Sequence, residues 1–306
     1  MSRIFEALQK IQSQQTPVAS GAETIPPEPV AFWTEQREEE LRATSSFAPS
    51  GPPPRPSLTS FAPGLNALRQ RCAKPAWKLH KDSLVLFNEQ SFDQCAEQFR
   101  ILRARLYRLR EKKPFRTLLV TSAQAGEGKS FVSLNLARAI VHQHERHALL
   151  IDADLRAPKL HVSLGAPSSP GLSDYLRGDA DEFSIIQSGT GENLFFIPAG
   201  RPVSNPTELL GSTRTKSLFE RLNTLFDWVI VDTSPVLPVS DAAVLAPTCD
   251  GVILVVGAGR TSSDLARTAC QELRESRLLG VVLNGVEDDA LGSPYAYYGR
   301  SEHVRG

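Results

Sequence analysis

Cysteine is scarce in this sequence, long apolar runs are missing, and neither sign of charge is in excess. The four cysteines, Cys72, Cys95, Cys249 and Cys270, are scattered among 306 residues. They have no metal-ligand spacing and outline no disulfide framework, so a reducing compartment is the economical expectation. The longest apolar stretches, such as Gly251 to Gly257, are far too short to cross a bilayer. The opening Met-Ser-Arg-Ile-Phe-Glu-Ala-Leu-Gln-Lys carries no signal-peptide pattern. The expectation is a cytoplasmic chain, with any membrane association borrowed from a partner. Lysine plus arginine and aspartate plus glutamate number 34 each. That balance argues against nucleic acid as a partner, and the basic run from Arg103 to Lys113 reads as a solvated helix face. What is present, 41% hydrophobic and 22% charged residues, suits one or two soluble domains with a substantial core.

The rest of the chain is arranged around Ala123-Gln-Ala-Gly-Glu-Gly-Lys129-Ser130, entered from the apolar run Thr117 to Thr121 and followed by Phe131-Val-Ser-Leu-Asn-Leu-Ala. Strand, glycine-rich turn and helix form the context a phosphate-binding loop needs. Gly126 and Gly128 let backbone N–H groups turn inward around phosphate oxygens, and a helix starting near Lys129 adds the positive end of its dipole. The nucleotide-binding candidates are therefore Ala125, Gly126, Glu127, Gly128, Lys129, Ser130 and Phe131. Lys129 is placed to reach the β and γ phosphates of ATP, and the Ser130 hydroxyl to ligate Mg²⁺. Ala123 stands where the strict pattern has glycine, which the loop accepts if that residue needs no positive φ.

Along the chain, Ile4, Phe5, Leu8 and Ile11 fall at helical spacing, and residues 1–15 read as a short amphipathic helix. Residues 16–77 are rich in proline, serine and glutamate, with Pro-Pro-Glu-Pro at 26 to 29 and Gly-Pro-Pro-Pro-Arg-Pro at 51 to 56. This composition reads as a disordered linker. Order is expected over 78–287. A helix capped near Ser91 runs to about Arg110, with Phe99, Leu102, Leu106 and Leu109 on one arc and Glu97, Arg100 and Arg103 on another. Two later strands end in acids: Ala148-Leu-Leu-Ile-Asp152-Ala-Asp154-Leu-Arg156 and Trp228-Val-Ile-Val-Asp232-Thr-Ser-Pro235. Carboxylates at the carboxyl ends of parallel strands lie where doubly wound sheets bind ligands. Gly251 to Val256 and Gly280 to Asn284 are further continuous apolar strands separated by a helix. The pattern predicts an α/β fold of the P-loop NTPase class, a mostly parallel sheet with helices on both faces. Residues 288–306 form a tail with no core pattern, holding Tyr295, Tyr297 and Tyr298.

The loop, Asp152-x-Asp154-x-Arg156, Asp232-Thr-Ser-Pro and the terminal tyrosines together resemble the bacterial tyrosine kinases (BY-kinases) of capsule and exopolysaccharide synthesis, in their soluble CpsD/CapB-like form. The resemblance implies a P-loop protein-tyrosine autokinase that uses ATP and Mg²⁺ and modifies tyrosines of its own tail, here Tyr295, Tyr297 and Tyr298. It implies catalytic roles for Lys129, Asp152, Asp154 and Asp232, with Ser130 and the three aspartates at the metal. An arginine such as Arg103 or Arg156 is a candidate to stabilise the transferring group. Glu97, Arg100 and Arg103 match a motif that in this family mediates a ring-like homo-oligomer. The partners implied are a membrane polysaccharide co-polymerase that activates the kinase and a cognate tyrosine phosphatase. Ala125 and Ser234 stand where prolines are common in the family. Two rival readings stay open: a MinD/ParA-type ATPase, whose signature lysine would fall at Gln124, and a nucleotide-gated regulator of export without kinase activity.

Overall fold

The computed structural model describes residues 63–80, 94–142, 146–189 and 193–286. The expected N-terminal helix, most of the linker and the tyrosine tail lie outside them. Seven strands form one sheet: β1 (Thr117–Ser122), β2 (Ala148–Asp152), β3 (Gln187–Ser188), β4 (Leu194–Ile197), β5 (Trp228–Asp232), β6 (Gly251–Gly257) and β7 (Leu278–Asn284). Their spatial order is β3-β4-β2-β5-β1-β6-β7. All pairings are parallel except β3 with β4. From β1 the chain crosses to β2 on one side of the sheet, returns next to β1 as β5, and then crosses to β6 and β7 on the other side. Such reversals are where these sheets open a crevice.

The five strands β1, β2, β4, β5 and β6 are buried along their whole length. Successive side chains point to opposite faces and each face has its own core. Leu119, Leu149, Phe195, Val229 and Val231 join one cluster, while Leu118, Val120, Leu150, Phe196 and Ile230 join the other. The second face is covered by α2 (Gln94–Lys112) and α3 (Lys129–Val141), with Phe99 and Leu106 of α2 against Leu134 and Ile140 of α3. Leu109, expected on the same apolar arc, is instead exposed. It lies in the last turn of α2, on a face that α3 does not cover.

The expected linker ends earlier than Trp77. Residues Pro63–Arg71 form α1, and its Leu65 and Leu68 are buried in the first core with Cys72. Arg69 and Arg71 stack over Phe195 and Phe183, and Trp77 meets Phe196 edge-on at 6.3 Å. A proline at the first helical position and two leucines three residues apart suffice for one docked helix. They are lost in composition averaged over 62 residues of proline-rich chain. Among the described residues no helix is long and apolar enough to cross a membrane.

Candidate functional site

The site is built where β1, β2 and β5 end. Parallel register places Asp152 directly beside Asp232, and the loop leaving β1 leads into α3, whose Ser130 and Ser133 reach Asp232. Gly126 and Gly128 have φ of 84° and 90°, the left-handed region that a side chain disfavours. Around Gly126 space is open, but a Cβ on Gly128 would lie 2.0 Å from Nδ2 of Asn284. The loop is braced from behind by Glu127, which is buried. Its carboxylate accepts hydrogen bonds from the Gln124 N–H at 2.6 Å, the Gly257 N–H at 3.1 Å and the Thr261 hydroxyl. Asn284 at the end of β7 donates to the Glu127 carbonyl at 2.9 Å. The Glu127 side chain is thus scaffold, and any contact to phosphate falls to its backbone N–H. The Phe131 ring likewise packs edge-on against Phe99, at 5.8 Å.

Lys129 points across the mouth of the loop. Its Nζ lies 2.8 Å from Oδ2 of Asp154 and 4.0 Å from Oδ2 of Asp232. Burial alone would lower its pKa, but Asp232 and Asp154 outweigh burial and hold the ammonium above its ordinary value. Asp154 is correspondingly held below the usual carboxylate range: burial opposes this, and the Lys129 cation overcomes it. Asp152 accepts from the Leu160 N–H at 3.1 Å and from the Asp154 N–H at 3.3 Å. Burial, reinforced by Asp232, pushes it up to about 8. Burial also raises Asp232, to about 6, with Lys129 limiting the rise. The Ser130 hydroxyl donates to Asp232 Oδ2 at 2.6 Å, and Ser133 Oγ lies 3.1 Å from Oδ1.

These donors fit Mg²⁺. It is a hard cation that takes oxygen ligands, usually one or two carboxylates, and completes its shell with water and phosphate rather than a protein cage. Ser130 and Asp232 are adjacent oxygen donors, and the unbalanced charge around Asp152 and Asp232 favours a cation. Among the described residues no group of three or more histidine, cysteine or acidic side chains is arranged to hold a metal ion by itself.

The sequence matches the CobQ/CobB/MinD/ParA nucleotide binding domain over residues 118–296. The tyrosine-protein kinase YwqD of Bacillus subtilis (strain 168) is 34% identical over 210 residues, 68% of this chain and 88% of that protein. The chain belongs to the bacterial tyrosine-protein kinase family. Among solved structures, the kinase domain of Escherichia coli tyrosine kinase ETK is 35% identical with a TM-score of 0.61, covering 65% of this chain and 78% of that one. The chimerical protein CapA2B2 is 27% identical with a TM-score of 0.62, covering 71% and 96%.

In this kinase Arg156 does not reach toward the loop. Its Nε and Nη2 clamp the fully buried Asp241, at 2.7 and 3.1 Å, and Nη2 also donates to Thr207. Burial works against the Asp241 charge, but Arg156 and Thr207 hold its pKa below the ordinary value. Arg103, the other candidate for the transferring group, donates to the Ala139 carbonyl in the last turn of α3, where a cation meets the negative end of the helix. Glu97 and Arg100 pair at 2.9 Å on the outer surface of α2, both about two-fifths exposed. Sequence reasoning missed Asp241, Ser234, Thr207 and Asn284. Ser240-Asp241 reads locally as a helix start, and Asn284 as the end of a strand. Their partners come from distant parts of the chain.

Proposed function

We propose that the chain is an ATP-dependent protein-tyrosine autokinase that regulates polymerisation and export of an exopolysaccharide or capsule, its targets being Tyr295, Tyr297 and Tyr298 of a neighbouring subunit. The observation that carries the reading is the Lys129 ammonium poised between Asp154 and Asp232 at the mouth of the glycine loop. Such a lysine is displaced onto β and γ phosphates when ATP enters, which frees Asp154 beside the γ phosphorus. The tyrosine oxygen then bonds to that phosphorus, the bridging P–O bond breaks, and ADP leaves with the electron pair. Tyrosine has a pKa of about 10, so its proton passes late in the transfer, to the Asp154 carboxylate. Ser130 and Asp232, with Asp152 beside them, would hold Mg²⁺, which offsets the phosphate charge. The remaining work, alignment of phosphates and hydroxyl, falls to the loop N–H groups and to Lys129.

The half-exposed Glu97–Arg100 pair supports a ring-like homo-oligomer in which one subunit presents its tail to the next. A membrane polysaccharide co-polymerase is the proposed activator, keeping the kinase at the inner membrane, and a tyrosine phosphatase resets the tail. The test is intact-mass measurement and tryptic mapping before phosphatase treatment, after it, and again after ATP with Mg²⁺, alongside Lys129→Met. Phosphate returning to Tyr295, Tyr297 or Tyr298 in the wild type, and about a hundredfold to a thousandfold more slowly in Lys129→Met, is the expected result. A tail that stays unmodified both alone and with the co-polymerase's cytoplasmic segment would overturn the autokinase.

A further inference from the structure

Behind Asp154 lies a second buried carboxylate that the chemistry above does not use. Asp241, the first residue of the short helix Asp241–Leu245, is fully buried. Between the two sits Ser234, in the turn that follows β5 and itself buried. Its Oγ lies 2.9 Å from Asp154 Oδ1 and 3.1 Å from Asp241 Oδ2. A serine hydroxyl has one proton to give. Asp241 already accepts two N–H bonds from Arg156 and one O–H bond from Thr207. Among the described residues Asp154 Oδ1 otherwise accepts only from the Ala157 N–H, at 3.1 Å. The proton therefore belongs on Asp154, at the shorter contact, and the Asp241–Arg156 pair holds the loops bearing Ser234 and Asp154 together.

We propose that Ser234 is a positioning residue for phosphoryl transfer, its hydroxyl holding Asp154 Oδ1 in place so that Oδ2 stays aimed at the site mouth when Lys129 leaves it for the phosphates. The inference rests on the reading of Asp154 as acceptor of the tyrosine proton. With Oδ1 bound from two sides, the carboxylate cannot rotate as its cation departs. Without Ser234, one bond remains and the departure of Lys129 frees the carboxylate to turn. A misaligned acceptor lowers the rate of transfer without touching nucleotide affinity.

The experiment is a double-mutant cycle on the full chain with Ser234→Ala, Asp154→Asn and the pair. It is read by single-turnover phosphotyrosine formation over long time courses and by binding of a fluorescent ATP analogue. Ser234→Ala is expected to bind nucleotide within about twofold of wild type and to transfer about tenfold to a hundredfold more slowly. In the Asp154→Asn background the same change is expected to cost nothing further, because the group it positions is gone. Transfer by Ser234→Ala at the wild-type rate would overturn the inference. So would an equal loss in both backgrounds, which marks a structural role and leaves the assignment of Asp154 standing. Wild-type transfer by Asp154→Asn alone would instead remove the assignment of Asp154, and the inference with it.

Discussion

Two aspartates bracket β5, and their surroundings could hardly differ more. Asp227, just before the strand, accepts from the His147 N–H at 2.9 Å and from Arg146 at 3.3 Å. Partial burial opposes its charge, yet His147 and Arg146 hold its pKa down at about 2. Asp232, at the far end of the strand, is fully buried beside Asp152 and is pushed up to about 6. Around Asp227 the amino edge of the sheet is finished with packing: Trp228 lies edge-on to Tyr107 at 5.3 Å and to Phe115 at 5.5 Å, with Arg110 over its ring. Around Asp232 the carboxyl edge collects Asp152, Asp154, Asp241 and Glu127, all buried. One end of the strand closes the fold, and the other gathers buried carboxylates around the ammonium of Lys129.

The sharpest way to break this contrast is to remove packing at the amino edge. Trp228→Ala deletes a fully buried indole and is expected to cost about 3–5 kcal/mol of folding stability, measured by chemical denaturation. Nucleotide affinity of the folded fraction should stay within about twofold. A matching collapse of affinity under conditions where the chain is still folded would mean that the two ends are not separable.

A smaller effect tests the charges themselves, and its sign differs between the ends. Asp232 and Asp152 have folded-state pKa values of about 6 and about 8, above the ordinary 3.8. The ligand-free folded chain therefore holds more protons than the unfolded one across that interval. The stability this adjacent pair contributes is complete below about pH 4 and is lost as pH rises through about 6 to 8, the interval in which the two titrate together. Asp227 works the other way: its contribution is present above 3.8 and is lost as pH falls through about 2. At about pH 8, Asp227→Asn is expected to destabilise the ligand-free chain by about 1–2 kcal/mol, while Asp232→Asn stabilises it by about 1 kcal/mol by removing a buried charge. Thermal melts of both variants at about pH 5 and about pH 8 decide it. Destabilisation by Asp232→Asn at the higher pH would show that the carboxyl edge is not under electrostatic strain.

What could be read in advance follows the same division. Asp152 and Asp232 were legible because a parallel strand buried on both faces reads as an unbroken apolar run, so an acid at its end stands out. Lys129 and Ser130 were legible because the loop that carries them is contiguous. Asp241, Ser234 and Asn284 were not, since their roles exist only through partners supplied by folding: Asn284 meets Glu127 from 157 residues away. Arg156 was misplaced for the same reason. In the sequence it is, like Arg103, a candidate to stabilise the transferring group, but the buried Asp241 claims its guanidinium. Helix α1 was missed because two leucines in a proline-rich stretch fall below what composition detects, although Leu65 and Leu68 complete the core over Phe195.

The smallest expected effect concerns the outer surface of α2, away from both ends of the strand. Glu97 and Arg100 form an ion pair three residues apart with both side chains well exposed, a geometry worth about 0.2–1 kcal/mol at most. Arg100→Ala should therefore leave the folded subunit nearly as stable as before. A subunit interface multiplies the consequence, because an arginine half exposed in one chain is desolvated between two. There its loss, as that of an interface hot spot, is expected to cost about 1.4 kcal/mol of association energy, about a tenfold rise in the dissociation constant. Light scattering across a dilution series reads the second quantity and denaturant titration the first. An unchanged mass distribution at every concentration would return the pair to ordinary solvated surface, and a large fall in subunit stability would mean that α2 rests on this pair rather than on Phe99 and Leu106.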